Sequence, residues 1–391
     1  MSEAALAALR AECDALIARC AASRREAANF AARLRRTPRG VKEGILYTCA
    51  IRNHAALARL LLANGLSPST VFDGNATPLH LASGRRAIDV VRLLLEAGAN
   101  ANCCDYLGNT ALQDAAGRGQ LACVRELIAL TDRNNTSVDG SNALHLSICG
   151  NHLECFKLLL PHFADVRHID VRTVKSRNPA ATGQPYNHTP LQLACEDGYH
   201  AMVKALLAAG ASRTARNNTE ISCLHSASEY GHLACVTLLI GRPDNQKISL
   251  EEIDARDSKG RTPLFMAARN GHRYCCAALL AAGADPDAVT HDGSTALDTA
   301  KRNHPGHQEL IELLECRGGG PAPLLCAGCG ASDMRLRACS ACGSASFCSN
   351  ACMAQFWPAH KAECKRIQAA NEELARSRII PVNAGNVPAP S

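Results

Sequence analysis

The hydrophobic positions of this 391-residue chain fall in short paired bursts. Around residue 80 the pattern is clear. Leu79, Leu81 and Ala82 make one narrow apolar face. After a polar break, Ile88, Val90, Val91, Leu93, Leu94 and Leu95 make a broader one. Spacings of three and four residues predict two short helices, the second buried around most of its circumference. Thr77 stands at the expected N-cap and Pro78 at the first helical position. There a missing N–H costs nothing and the φ of proline is already helical. Gly98 follows the second helix, as a left-handed residue beyond a helix end should.

The same order returns along the chain. Thr77-Pro78-Leu79-His80 recurs as Thr110-Ala111-Leu112, Asn142-Ala143-Leu144-His145 and Thr189-Pro190-Leu191. It recurs again as Ser222-Cys223-Leu224-His225, Thr262-Pro263-Leu264 and Thr295-Ala296-Leu297. Working backward by the same period reaches Gly44-Ile45-Leu46. The steps are 33, 33, 32, 47, 33, 40 and 33 residues. One such unit cannot bury its own helix faces, so stacking must supply the core. Residues 43–316 therefore resemble ankyrin repeats. The resemblance implies a mainly α solenoid of about eight helix-turn-helix units with a protein-binding face.

The two long steps imply insertions, near 168–187 and near 241–254. Either marks a loop on a binding face or is a solvated loop without a role. Ahead of the array, residues 1–42 read as a helical extension. Leu6, Leu9, Cys13, Leu16 and Cys20 share one face, with Phe30 and Leu34 continuing it. About two heptads fall short of a coiled coil, which favours a cap over the first unit.

Composition fits this picture. Hydrophobic residues make up 47% of the chain and aromatic residues only 4%, which suits close-packed short helices. The net charge of +6 is uneven. Residues 1–42 carry nine basic and four acidic side chains, and 317–391 carry eight and four. The array between them carries 25 and 28, so it offers no basic platform for nucleic acid. No secretory signal or membrane-spanning run is expected, because acidic residues interrupt the first apolar stretch. Cysteines such as Cys155, Cys195, Cys235 and Cys275 lie inside apolar helical runs, where a thiol serves as a small hydrophobe. Reduced thiols point to the cytoplasm, with the nucleus as the open alternative.

A linker, 317–325, precedes a cluster of different character. Cys326-x2-Cys329, Cys339-x2-Cys342, Cys348-x3-Cys352 and His360-x3-Cys364 place seven thiols and one imidazole within 326–364. A two-residue spacer lets both thiols of a tight turn face one ion. A three-residue spacer puts both ligands on one face of a helical turn. Eight such ligands suit two closed Zn2+ tetrahedra, which are structural rather than catalytic. A disulfide cluster would need an oxidising compartment, against the rest of the chain. Few apolar residues are available there, so metal must supply much of the folding energy.

This segment resembles a MYND finger. The signature lies in Cys339-Ser340-Ala341-Cys342, Phe347-Cys348-Ser349 and Trp357-Pro358-Ala359-His360-Lys361. The resemblance implies that Cys326, Cys329, Cys348 and Cys352 hold one zinc. It implies that Cys339, Cys342, His360 and Cys364 hold the other. It also implies a groove for proline-containing peptides at Trp357, with Gln355 beside it. Trp357 serves that groove, the small core, or both. The family's usual glutamine after the sixth cysteine is Met353 here. Residues 365–391 read as a short helix and a disordered tail.

No phosphate loop, nucleophile elbow or zinc-protease helix occurs in the sequence. His80, His145, His225, His232 and His272 fall at motif positions where structural hydrogen bonding is expected. The sequence therefore predicts a non-catalytic scaffold or adaptor that binds proteins through both modules. A nuclear transcriptional co-regulator using the finger is the alternative. Membrane insertion and nucleic-acid binding are not expected.

Overall fold

A computed structural model describes residues 35–173, 187–241, 249–315 and two short strands at 337–338 and 346–347. Among these residues, helices follow one another in antiparallel pairs. Pair one is α1, Arg39–Arg52, with α2, Ala55–Ala63. Pair two is α3, Pro78–Gly84, with α4, Ile88–Glu96. Pair three is α5, Ala111–Gly117, with α6, Leu121–Leu127. Pair four is α7, Ala143–Cys149, with α8, Leu153–Phe163, and a single turn α9, Val166–Ile169, follows.

Pair five is α10, Pro190–Glu196, with α11, His200–Ala208. Pair six is α12, Cys223–Glu229, with α13, Leu233–Ile240, followed by the turn α14, Leu250–Ile253. Pair seven is α15, Pro263–Arg269, with α16, Arg273–Ala281. Pair eight is α17, Ala296–Asn303, with α18, Gln308–Glu315. Helix α1 begins inside the segment read from sequence as the N-terminal extension. The extended Pro38 starts it, its carbonyl accepting from the N–H groups of Val41 and Lys42 at 3.1 and 3.2 Å.

The first helices of the pairs stack on one another as an inner row, and the second helices form an outer row. Leu46, Leu61, Leu79, Leu94, Leu127, Leu144, Phe156 and Leu159 are fully buried between the rows. Leu81, Ile88 and Leu95 are only half-buried at the edge of that core. Gly98, Gly210 and Gly283 close second helices with φ of 83, 91 and 99°, a conformation that a side chain would strain.

Five inner helices, α3, α5, α7, α10 and α12, begin on the same side-chain device. The Thr77 N–H donates to His80 Nδ1 at 3.2 Å, and His80 Nε2 meets the Asn109 carbonyl at 2.9 Å. An Nδ1 that accepts leaves the proton on Nε2, so these partners fix the neutral tautomer. Gln113 reproduces this with an amide. Its Oε1 accepts from the Thr110 N–H at 2.8 Å, and its Nε2 donates to the Ser141 carbonyl at 2.8 Å. His145 links Asn142 to His188 at 3.3 and 3.4 Å, and Gln192 links Thr189 to Ile221 at 2.9 Å on both sides. His225 links Ser222 to Arg261 at 3.2 and 3.0 Å. Each accepting carbonyl belongs to the residue just before the next pair's N-cap. One side chain thus fixes a helix start and the stacking of its neighbour.

Pair seven departs from this. Phe265 occupies the relay position, buries its ring and has no donor for the next hairpin. Thr262 still caps α15, accepting from the Phe265 N–H at 3.2 Å. Hydrogen exchange followed by mass spectrometry should show α17 opening before α5, α7 and α10. Equal protection in all four would mean that the relay does not set local stability.

The outer histidines tie the pairs a second time. The Nε2 atoms of His232, His272 and His304 lie 2.9, 3.0 and 2.9 Å from the carbonyls of Glu196, Glu229 and Arg269. Each bond joins one turn to the preceding pair. Gly231 makes room for the next ring: its φ is 75°, and a Cβ there would lie 2.5 Å from His272 Nδ1.

Burial lowers His145 and His225 from the ordinary 6.5 to about 4. A second proton on either ring would place a charge out of reach of water, and that desolvation is the largest cause of both shifts. The folded chain therefore binds fewer protons than the unfolded chain between these values. The stability from the neutral rings is complete above pH 6.5 and is lost as pH falls toward 4. Each ring contributes on the order of 2 kcal/mol to the loss between neutral pH and pH ~5. The double variant His145→Gln/His225→Gln keeps both bonds, as Gln113 and Gln192 do. Its urea midpoint should match the parent at neutral pH and fall less at acid pH. A parallel acid loss would refute this role.

Candidate interaction surface

Successive pairs are joined by narrow hairpins, each built on a side chain that binds its own turn. Asp105 Oδ1 accepts from the N–H groups of Leu107 and Asn109 at 2.9 and 2.8 Å. Its backbone N–H reaches the Asn109 carbonyl at 2.9 Å. Asn217 does the same for Thr219 and Ile221, and Asp257 for Lys259 and Arg261. Such turns follow from Asx chemistry, with positive φ supplied by Gly108, Glu220 and Gly260.

Neighbouring hairpins are tied by backbone bonds. The Tyr106 N–H donates to Gly74 O and the Val138 N–H to Leu107 O, both at 2.8 Å. Farther along, Ser258 bonds to Thr219 at 3.0 Å and His291 to Lys259 at 3.1 Å. Between these two groups stands a hairpin closed by Thr173 and His188. The Thr173 N–H donates to His188 O at 3.0 Å, and the His188 N–H donates to Thr173 Oγ1 at 3.0 Å. Thr173 and His188 thus pair as Asp105 and Asn109 do. The longer step in the sequence enters at a hairpin tip. The other long step enters between Ile240 and Ser249, after an outer helix.

The two groups of hairpins differ in chemistry. In the first, Val71, Tyr106, Leu107 and Val138 are exposed, Tyr106 by 69%. In the second, three arginines form a ladder. Arg172 Nη1 donates to Arg216 O, Arg216 Nη1 to Arg256 O at 3.2 Å, and Arg256 Nη1 to Val289 O at 2.6 Å. On the inner helices, Asp114 takes the position held by Leu81 and Leu146 in the adjacent pairs. Burial, with Asp105 nearby, raises its carboxyl to about 7 against a smaller opposing effect of Arg118. It sits on the inner row as a carboxyl near the midpoint of its titration.

The buried thiols are packing groups. Cys123, Cys155, Cys235 and Cys275 occupy one column of the outer helices, the column that Val90 and Met202 fill elsewhere. All are buried. Burial pushes Cys123 up to about 11 and Cys235 and Cys275 up to about 12. Cys195, also fully buried, is pushed up by desolvation and by contact with Cys223.

The sequence-predicted zinc ligands Cys326, Cys329, Cys339, Cys342, Cys348, Cys352, His360 and Cys364 lie outside the described residues. So do Trp357 and Gln355. One element of that segment is described. Strands β1, Arg337–Ala338, and β2, Ser346–Phe347, pair antiparallel with Arg337 opposite Phe347 and Ala338 opposite Ser346. The connection 339–345 carries Cys339 and Cys342, whereas Cys348 follows β2 at the opposite end of the ladder. Among the described residues, no cluster of His, Cys, Asp or Glu is arranged to hold a metal ion. No described helix is long and apolar enough to cross a membrane. The apolar tips and the arginine ladder were not singled out from the sequence. The signal for them was the Asp- or Asn-started turn four or five residues before each N-cap.

A family model described as ankyrin repeats (3 copies) matches residues 19–105, 97–170, 171–251 and 246–320. The chain belongs to the ankyrin-repeat family. A MYND finger model matches 326–364, which makes this ankyrin-repeat protein a zinc-binding one with two modules of the protein-interaction type. It is 32% identical over 259 residues to a probable E3 ubiquitin-protein ligase of Oryza sativa subsp. japonica, covering 64% of this chain and 40% of the relative. It is 31% identical to the B-cell lymphoma 3 protein homolog of Mus musculus, covering 50% and 43%. The chain thus spans less than half the length of these curated relatives. The crystal structure of the ankyrin repeat domain of Bcl-3 aligns at 25% identity and a TM-score of 0.44, covering 69% of this chain and 97% of that one.

The thiols supply a direct check on the packing. A thiol-reactive probe should label Cys103 and Cys104 of the native chain within minutes. Cys195, Cys235 and Cys275 should react only once urea unfolds the repeats, because burial disfavours their thiolates. Rapid native labelling at any of these three would contradict the described core.

Proposed function

We propose that the chain is a non-catalytic adaptor that holds one protein on its repeat face and another on its finger. The observation carrying this reading is the pairing of two interaction modules in one chain, residues 19–320 and 326–364. Each hydrogen-bonding histidine described above is occupied in holding one repeat to the next. The ligase named among the relatives is a longer protein, and its activity does not pass to this chain by likeness of repeats.

The finger holds two Zn2+ ions in this reading. Cys326, Cys329, Cys348 and Cys352 bind one, and Cys339, Cys342, His360 and Cys364 bind the other. The donor set fits zinc: seven thiols and one imidazole satisfy two tetrahedra without an open position. The strand pairing supports the interleaved assignment. Cys339 and Cys342 share the connection within the hairpin, and Cys348 leaves from its other end. Bound zinc supplies folding energy to a segment with little apolar core. Trp357 and Gln355 then present a surface for proline-containing peptides. The adaptor works in the cytoplasm, extending to the nucleus if its partners are there. A protein is favoured over nucleic acid as the partner because the repeat array carries more acidic than basic side chains.

The test pairs metal analysis with partner capture. The purified chain should carry two zinc per molecule, and Cys339→Ser/Cys342→Ser should lose at least one. Affinity purification from cells should recover fewer partners with that variant, while partners of the repeats remain. Unchanged partners would remove the finger as a recruiting surface. Well under two zinc in the parent would remove the metal assignment.

A further inference from the structure

The first group of hairpins has three properties together. Its exposed residues are apolar, its position is rigid and its charge has one sign. Val71, Tyr106, Leu107 and Val138 lie on three consecutive hairpins joined by backbone hydrogen bonds. The Tyr106 ring is held against Gly74, where a Cβ would come within 2.9 Å of Cδ1. A ring fixed in place yet 69% exposed loses little freedom when covered, which is what a binding anchor needs.

The charge is equally specific. Residues 71–76, 105–109 and 137–141 contain Asp73, Asp105 and Asp139 and no lysine or arginine. Asp105 and Asp139 each use Oδ1 to hold their own turn. The hydrogen bonds to both carboxyls come from within their own turns. Burial works against the charge of Asp139, and hydrogen bonds from Ser137 and Ser141 outweigh it, so that carboxyl stays below its ordinary range. The second group of hairpins sets Arg216 against Glu220 and Arg261 against Asp257 beside the arginine ladder, so both signs of charge are present there.

From this juxtaposition we propose that the hairpin tips 71–76, 105–109 and 137–141 bind an extended peptide of a partner protein, with an apolar or aromatic residue flanked by lysine or arginine. The apolar residue packs on Tyr106, Leu107 and Val138, and the flanking cations meet the carboxylates of Asp105 and Asp139. Packed helices lie ~10 Å apart, so three hairpins span ~20 Å, or about six extended residues. The proposal rests on the adaptor reading and names the class of ligand for its repeat face.

The test uses the whole chain and a random dodecapeptide library displayed on phage. Enriched peptides should carry an aromatic or branched apolar residue next to Lys or Arg. Tyr106→Ser/Val138→Ser should weaken a selected peptide about ten-fold or more. Asp105→Asn/Asp139→Asn keeps the Oδ1 acceptors and should weaken it several-fold, with a smaller salt dependence. Unchanged thermal melts of both variants ensure that folding is not what is read. Selected peptides that bind both variants as well as the parent, or that are acidic, would overturn the tip proposal. If those peptides instead require Cys339 and Cys342, the adaptor reading survives without it. A library with no enrichment would remove both.

Discussion

The array depends on a single hydrogen-bonded relay. A neutral acceptor-donor side chain, histidine or glutamine, takes the N–H of its own N-cap residue and gives a proton to the carbonyl before the next N-cap. Five consecutive inner helices, α3, α5, α7, α10 and α12, make this link. Without it, each short inner helix would leave a buried N–H and a buried C=O unpaired, at roughly 1–3 kcal/mol apiece. Helices of seven residues are too short to be stable alone in water. Packing supplies most of their stability, and the relay fixes the geometry in which that packing occurs.

This explains why histidine and glutamine interchange at the relay while retaining one role. Both present an acceptor and a donor across a planar group of similar reach. They differ in response to acid, because only histidine can take a second proton. Phe265 shows the other solution, in which the ring fills space and the link is given up. The cysteines obey the same logic of equivalent positions. A thiol in the column of Val90 and Met202 is there for its volume, and burial makes it unreactive.

The relay also shapes the binding surface. By holding the start of each inner helix, it holds the hairpin that precedes it. The hairpins are then close enough to bond to one another, and their tips form a continuous strip. That strip changes character along the array, from apolar and acidic to a ladder of arginines, with the Thr173–His188 closure between.

The sequence by itself determined the period, the helix starts, the glycine ends and the family, because each is written locally. A Thr-Pro or Ser-Cys start followed by an apolar face needs no distant residue to be read. The proposed zinc ligands rest on the same kind of local signal, since metal coordination restricts residue type and spacing directly. Tertiary structure decided what depends on neighbours distant in the sequence. It showed that His80 reaches Asn109, that Thr173 pairs with His188, and that Tyr106 lies on Gly74. It also showed that Arg172, Arg216 and Arg256 share an edge. The relay histidines recur with the repeat, but their partners do not show in it, and the tip contacts leave no periodic trace because exposed tips are not constrained by packing.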